Sequence, residues 1–124
     1  MATHHITKQM PDPIPHSFIH HFNATQSIVH DIARDKGWWD TPRPESENIA
    51  LMHSELSEAL EGLRAGNPPS DHVPEFTAAE EEYADVVIRI MDNAEKHGHR
   101  VAEAIVAKIA FNCTRPHKHG GKKF

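Results

Sequence analysis

The sequence has one cysteine, Cys113, among 124 residues. No intrachain disulfide can therefore form, a zinc site built on several thiolates is excluded, and a reducing cytosol is the compartment that fits. No apolar run approaches the roughly 18 residues that a membrane-crossing helix needs. MATHHITKQMPDPIP lacks the basic, apolar and small-residue order of a secretory leader, so a soluble, non-exported protein is expected. Positive charge is in deficit as well. With 13 Lys+Arg against 18 Asp+Glu the net charge is −5 with His neutral, a field that recruits neither nucleic acid nor an anionic membrane. Two motifs are missing: Gly-x-x-x-x-Gly-Lys-Ser/Thr, which rules out a P-loop enzyme, and Glu-x-x-His, which argues against a di-iron carboxylate bundle.

What is present is consistent with one globular domain: 38% hydrophobic and 25% charged residues. The 12 His are the compositional oddity and raise imidazole-bound metal as a first suspicion. Residues 1–16 carry Pro11, Pro13 and Pro15, which fix φ and remove donors, so a flexible Pro-rich arm is expected ahead of a domain over 17–124.

Nothing alternates with period 2 over strand length, whereas helical periods recur. Phe18, Phe22, Thr25, Val29 and Ile32 step by 4 and 3, predicting a first helix from Ser17 to near Gly37. Ile49, Met52, Leu56, Leu60 and Leu63 predict the core stripe of a second, stopped by Gly66 and Pro68-Pro69. Thr77 with Glu80 reads as a capping box for a third, whose stripe is Tyr83, Val86, Val87, Ile90, Met91 and Ala94, before Gly98. A fourth runs from about Arg100 to about Asn112, limited by Pro116. The expectation is an all-α, four-helix bundle.

Glu55-Leu-Ser-Glu58 and Glu82-Tyr-Ala-Asp85 each put two carboxylates at i, i+3 on one helix face. Glu55 and Glu58 lie about 100° and 160° from the centre of the second helix's apolar stripe, so they are expected outside the core, lining a cleft beside it. A single such pair is ordinarily a solvated face. If the two helices pack side by side, however, the four acids converge. Clustered carboxylates without thiolates repel one another until a hard cation such as Mg²⁺ or Mn²⁺ joins them.

Lys108, Asn112 and Arg115 step by 4 and 3 at the end of the fourth helix, followed by the basic Pro116-His-Lys-His-Gly-Gly-Lys-Lys-Phe124. They suit phosphate oxygens, and equally suit C-terminal helix capping by cations; spacing alone does not choose. Trp38-Trp39 can stack on a nucleobase or plug the bundle end.

Glu55-x-x-Glu58 followed by Glu82-x-x-Asp85 resembles the metal signature of the all-α nucleoside triphosphate pyrophosphatases, the superfamily of MazG and the dimeric dUTPases. Residues 49–64 and 84–92, and Asn112-x-Thr-Arg-Pro-x-Lys-His-Gly-Gly-Lys-x-Phe124, look like the short MazG-like proteins of bacteria and phages, so the likeness spans about residues 17–124. It implies that Glu55, Glu58, Glu82 and Asp85 hold Mg²⁺, which Mn²⁺ can replace, against a (d)NTP. Water attack at the α-phosphorus then gives (d)NMP and diphosphate, with Glu55 or Glu58 as general base. It further implies phosphate contacts from Lys108, Asn112, Arg115 and Lys122, and a base flanked by Trp38 and Trp39. The assembly it implies is a cytoplasmic homodimer or homotetramer. Ala84, Ile88 and Met91 independently widen the third helix's apolar arc to roughly 200°, more than one core stripe needs. Two competing functions remain open from sequence. One is a non-catalytic, His-rich metal-binding or regulatory module using His16/His20, His97/His99 and His117/His119; the other is an oligomeric scaffold.

Overall fold

Four helices form where periodicity and punctuation place them: α1 Ser17–Asp35, α2 Glu45–Arg64, α3 Ala78–His97 and α4 Val101–Cys113. The structure, a computed structural model, describes residues 14–116. Among the described residues there is no strand, only an isolated antiparallel bridge between Pro69 and Thr77. No helix of the described residues is long and apolar enough to cross a membrane. Most of the arm expected over 1–16 lies outside the described residues; its last part leads into α1, where Pro15 O accepts from Phe18 N at 3.0 Å.

The chain divides into two units, one comprising Ala24–His99 and the other the residues up to Asn23 with those from Arg100 onward. The first unit contains most of α1 and all of α2 and α3. Its helices end and begin by recognisable local chemistry. Past α1, Gly37 takes φ +82°, and Gly37 N and Trp38 N donate back to Arg34 O and Ala33 O, both at 3.0 Å. This left-handed cap is open to glycine at no steric cost and turns the chain straight into Trp38-Trp39. The expected Thr77/Glu80 capping box is present, with Glu80 N donating to Thr77 Oγ1 at 3.2 Å and Thr77 N to Glu80 Oε1 at 2.8 Å.

The loop between α2 and α3 is tied down rather than loose. Asn67 adopts φ +51°, a left-handed conformation its short amide tolerates, and its Oδ1 accepts from Ala79 N at 3.0 Å. Ser70, buried, donates to Glu81 Oε1 at 2.5 Å and accepts from the N–H groups of His72 and Val73. These bonds satisfy backbone donors that a Pro-rich crossing would otherwise leave bare.

α2 and α3 pack side by side. Small residues permit the approach: Ala59 and Ala79 are buried, and a Cβ added at Gly62 would sit 3.1 Å from Ala78 Cβ. The predicted stripe of α2 is not the face it buries, and that of α3 is buried only at its end, at Met91 and Ala94; two expectations are corrected here. Ile49, Leu56, Leu60 and Leu63 of α2 are each 46–48% exposed, as are Tyr83 (51%) and Val87 (46%) on α3. Between the helices lie Asn48, Glu55 and Ala59 of α2, with Met91, Asp92, Asn93 and Ala94 of α3 buried near its end. Glu55, expected outside the core, is 8% exposed. Partners for several of these polar groups offset a burial that would otherwise cost several kcal/mol per group, although Asn48 Oδ1 is left without one.

Separate sets of hydrogen bonds join the elements. Asn48 Nδ2 donates to Asn93 Oδ1 (2.8 Å), Asn93 Nδ2 to Glu45 Oε2 (2.8 Å), and His99 Nε2 to the same oxygen (2.6 Å). Those two donors hold the Glu45 carboxyl below its usual range. From α1, Gln26 Nε2 donates to Glu95 Oε1 at 3.1 Å and His30 Nδ1 to Asp92 Oδ1 at 2.7 Å.

Candidate metal centre

α2 contributes Glu55 and α3 contributes Glu82 and Asp85, and one ligand oxygen from each lies within 4.8 Å of the others. Side-by-side packing brings the Glu82/Asp85 pair to Glu55, so three of the four acids expected to converge do so. Among the described residues no histidine belongs to this group. Glu58, one turn beyond Glu55 on α2, stands outside the trio but acts on Glu82 through both its charge and a side-chain contact.

The electrostatics are those of partly buried acids that repel one another. Burial first, then the charge of Glu58 and contacts with Glu55 and Glu58, push the Glu82 carboxyl up to about 7. Burial and the charges of Glu55 and Glu81 raise Asp85, opposed by Arg89. One Glu82 oxygen, Oε2, is buried without a hydrogen-bond partner. Hard oxygen donors, mutual repulsion and an unpartnered oxygen fit Mg²⁺ or Mn²⁺.

Beside the trio opens a pocket of about 380 Å³ whose wall includes Trp38, Arg43, Glu55, Asp85, Arg89 and Asp92. Two guanidiniums thus share a surface with the acids. Arg89 reaches across from α3 to Glu55, with Nε and Nη2 each 3.2 Å from Oε1. Arg43, in Pro42-Arg-Pro44, lies 5.2 Å from the Trp39 ring centroid. A larger hollow of about 550 Å³ at Asp31, Arg34, Asp35, Trp39 and Asp40 contains none of the trio.

The two adjacent tryptophans have different surroundings. Trp39 donates Nε1 to Asp92 Oδ1 and Oδ2 at 2.9 and 3.1 Å, with Lys96 over its ring and His30 edge-on. Trp38 is 58% exposed and forms part of the pocket wall. Trp39→Phe keeps an aromatic ring, though a smaller one, and leaves Asp92 short of a donor in a buried position. It is expected to destabilise the fold by about 1–3 kcal/mol, read as a lower urea midpoint, with Trp38→Phe near neutral.

Lys108 and Asn112 are exposed on α4 and Arg115 follows it, its N–H donating to Asn112 O at 3.1 Å. Lys108 Nζ and the Arg115 guanidinium gather around Phe111, 4.7 and 5.9 Å from its ring centroid. These three residues belong to the second unit. Lys122, His117 and His119 lie outside the described residues. Of the other histidines, the rings of His20 and His21 meet edge to face, and His99 is engaged by Glu45.

Sequence reading missed Arg43, Arg89, Asp92 and His30. For Arg89 a signal existed: it follows Asp85 by four residues and so shares the acidic face of α3. Comparison with protein families, curated proteins and solved structures returned no match.

The raised Glu82 value carries a pH dependence. The folded chain keeps a proton at Glu82 that the unfolded chain releases near 4.5. Stability of the metal-free protein contributed by that group is therefore full below 4.5 and is lost as pH rises through about 7. Asp85 acts in the same direction, whereas Glu45 and Glu81, both lowered, act oppositely at acid pH. Urea melts of wild type against Glu82→Gln between about pH 5 and 8 isolate the group, and their difference is expected to widen with pH.

Proposed function

We propose that this chain is a Mg²⁺-dependent nucleoside triphosphate pyrophosphohydrolase of the MazG-like all-α type, converting (d)NTP to (d)NMP and diphosphate in nucleotide-pool control or house-cleaning. The observation that carries this reading is the convergence of Glu55, Glu82 and Asp85 from two packed helices, their ligand oxygens within 4.8 Å. It stands beside a pocket bearing Trp38 and two arginines.

Glu55, Glu82 and Asp85 hold the cation, and Mn²⁺ can replace Mg²⁺ there. Bound Mg²⁺ supplies charge neutralisation for the triphosphate oxygens and lowers the pKa of water. Of the two candidate bases, Glu55 is a member of the trio and is taken up by the cation. Glu58 is exposed and outside the trio, which favours it for taking the proton as water attacks the α-phosphorus. Trp38 offers an indole face to the base, and Trp39, fixed by Asp92, positions the turn that presents it. The phosphate contacts that the resemblance implies for Lys108, Asn112 and Arg115 fall in the second unit, and the one it implies for Lys122 lies outside the described residues.

The working form is a homodimer or homotetramer in the cytoplasm. The exposed apolar residues of α2 and α3 support assembly, because contiguous apolar surface of this kind is uncommon on a lone chain. The test is incubation of a panel of dNTPs, NTPs and ppGpp with Mg²⁺. Monophosphate plus diphosphate is expected from the triphosphates; orthophosphate as primary product from a triphosphate, or turnover of none of them, sinks the reading.

A further inference from the structure

We propose that Arg89 is a built-in counter-cation of the metal centre, holding Glu55 while the centre is empty and released to the phosphates of the substrate when a divalent cation takes Glu55. The inference rests on the pyrophosphohydrolase reading and adds to it a residue outside the acidic signature.

Three observations carry it. First, Arg89 places both Nε and Nη2 3.2 Å from one oxygen of Glu55, whose side chain is 11% exposed. A carboxylate that buried is costly to leave unpaired, and the charge-assisted Nε–H hydrogen bond, with Nη2 at ion-pair distance from the same oxygen, supplies its counter-charge. Second, Glu55 is also a member of the trio, so the same carboxylate is claimed by two cations. A guanidinium and a divalent ion on one carboxylate repel each other, and each weakens the other's hold. Third, Arg89 is only partly enclosed. Its side chain is 37% exposed and lies in the wall of the pocket that also carries Arg43. Once detached from Glu55 it has open space on the side where a triphosphate would lie, and its planar fork suits phosphate oxygens.

The exchange explains why a surplus of acids is tolerated before the cation arrives. Glu55, Glu82 and Asp85 repel one another, and Arg89 relieves that repulsion from the α2 side, where the most buried of the three sits. It also orders events: the guanidinium becomes available to substrate only after the cation is in place.

The test measures Mn²⁺ affinity by electron paramagnetic resonance on the full chain without nucleotide, for wild type and Arg89→Gln. Removing the competing charge is expected to tighten Mn²⁺ binding about tenfold, the scale of one nearby like charge at a partly exposed site. Affinity for α,β-imido-dATP at saturating Mn²⁺ is expected to fall about tenfold in the same variant. A structural ion pair would give the opposite first result, a looser metal site. Equal or weaker Mn²⁺ binding by Arg89→Gln overturns the proposal and leaves the pyrophosphohydrolase reading standing. No Mn²⁺ binding by wild type overturns both.

A second measurement needs no folded variant. The side-chain Nε–H resonance of Arg89 in wild type is expected to lose its protection from solvent exchange as diamagnetic Mg²⁺ is added. A resonance still protected at saturating Mg²⁺ contradicts the exchange.

Discussion

Glu82→Gln is expected to abolish hydrolysis, by about a thousandfold or more in kcat, while raising the melting temperature of the metal-free protein by several degrees. The two effects share one cause. Glu82 is the member of the trio that burial and its neighbours Glu58 and Glu55 most strongly disfavour in its charged form, and its Oε2 has no partner. A neutral amide of the same shape removes the repulsion, so the fold gains; it also removes a ligand charge, so Mg²⁺ loses its seat. A side chain present for architecture alone would cost stability when replaced. Thermal melts with and without Mg²⁺ check the pairing: wild type is expected to gain stability on adding Mg²⁺ and Glu82→Gln to gain almost none. A variant that is destabilised and still active would show that Glu82 is no ligand.

The second large effect concerns assembly. Leu56 and Leu60 are one turn apart on α2 and 46% and 48% exposed. Together with Ile49 and Leu63 they form a stripe whose regular spacing is that of a helix buried against something. Burial of each leucine in an interface contributes about 1.5–3 kcal/mol, and a carboxylate in its place adds a desolvation cost. The double variant Leu56→Glu/Leu60→Glu is therefore expected to weaken self-association roughly a thousandfold. Light scattering behind size exclusion should find wild type as a dimer or tetramer and the variant as a monomer. Wild type running as a monomer at tens of micromolar would contradict the assembly reading.

The same stripe shows what the sequence could and could not reveal. Helix limits were legible to within a few residues because their signals are local: the Thr77/Glu80 box, the left-handed Gly37 and Gly98, the Pro-bounded loop after Arg64. Helical period was legible for the same reason. Which face is buried within one chain was not, because an apolar stripe states only that a surface avoids water, not whether the cover comes from the same chain. The α2 stripe faces out, and the α2–α3 contact is made through Ala59, Gly62, Glu55 and their neighbours instead.

The acidic centre was legible in part. Spacing put Glu55 with Glu58 and Glu82 with Asp85, and packing completes a trio from these while leaving Glu58 at its edge. What spacing could not supply was Arg89 on Glu55, or Asp92 receiving both Trp39 and His30. Those contacts depend on rotations of α1, α2 and α3 about their axes, a tertiary property. The abundance of histidine turned out uninformative about the trio, which is made wholly of carboxylates.

The most direct measurement of the central claim is hydrolysis of a dNTP with Mg²⁺ in ¹⁸O-labelled water, with the products resolved and weighed by mass spectrometry. Attack on the α-phosphorus, as proposed, places the label in the monophosphate and leaves the diphosphate unlabelled. Label in the diphosphate, or in released orthophosphate, would contradict it.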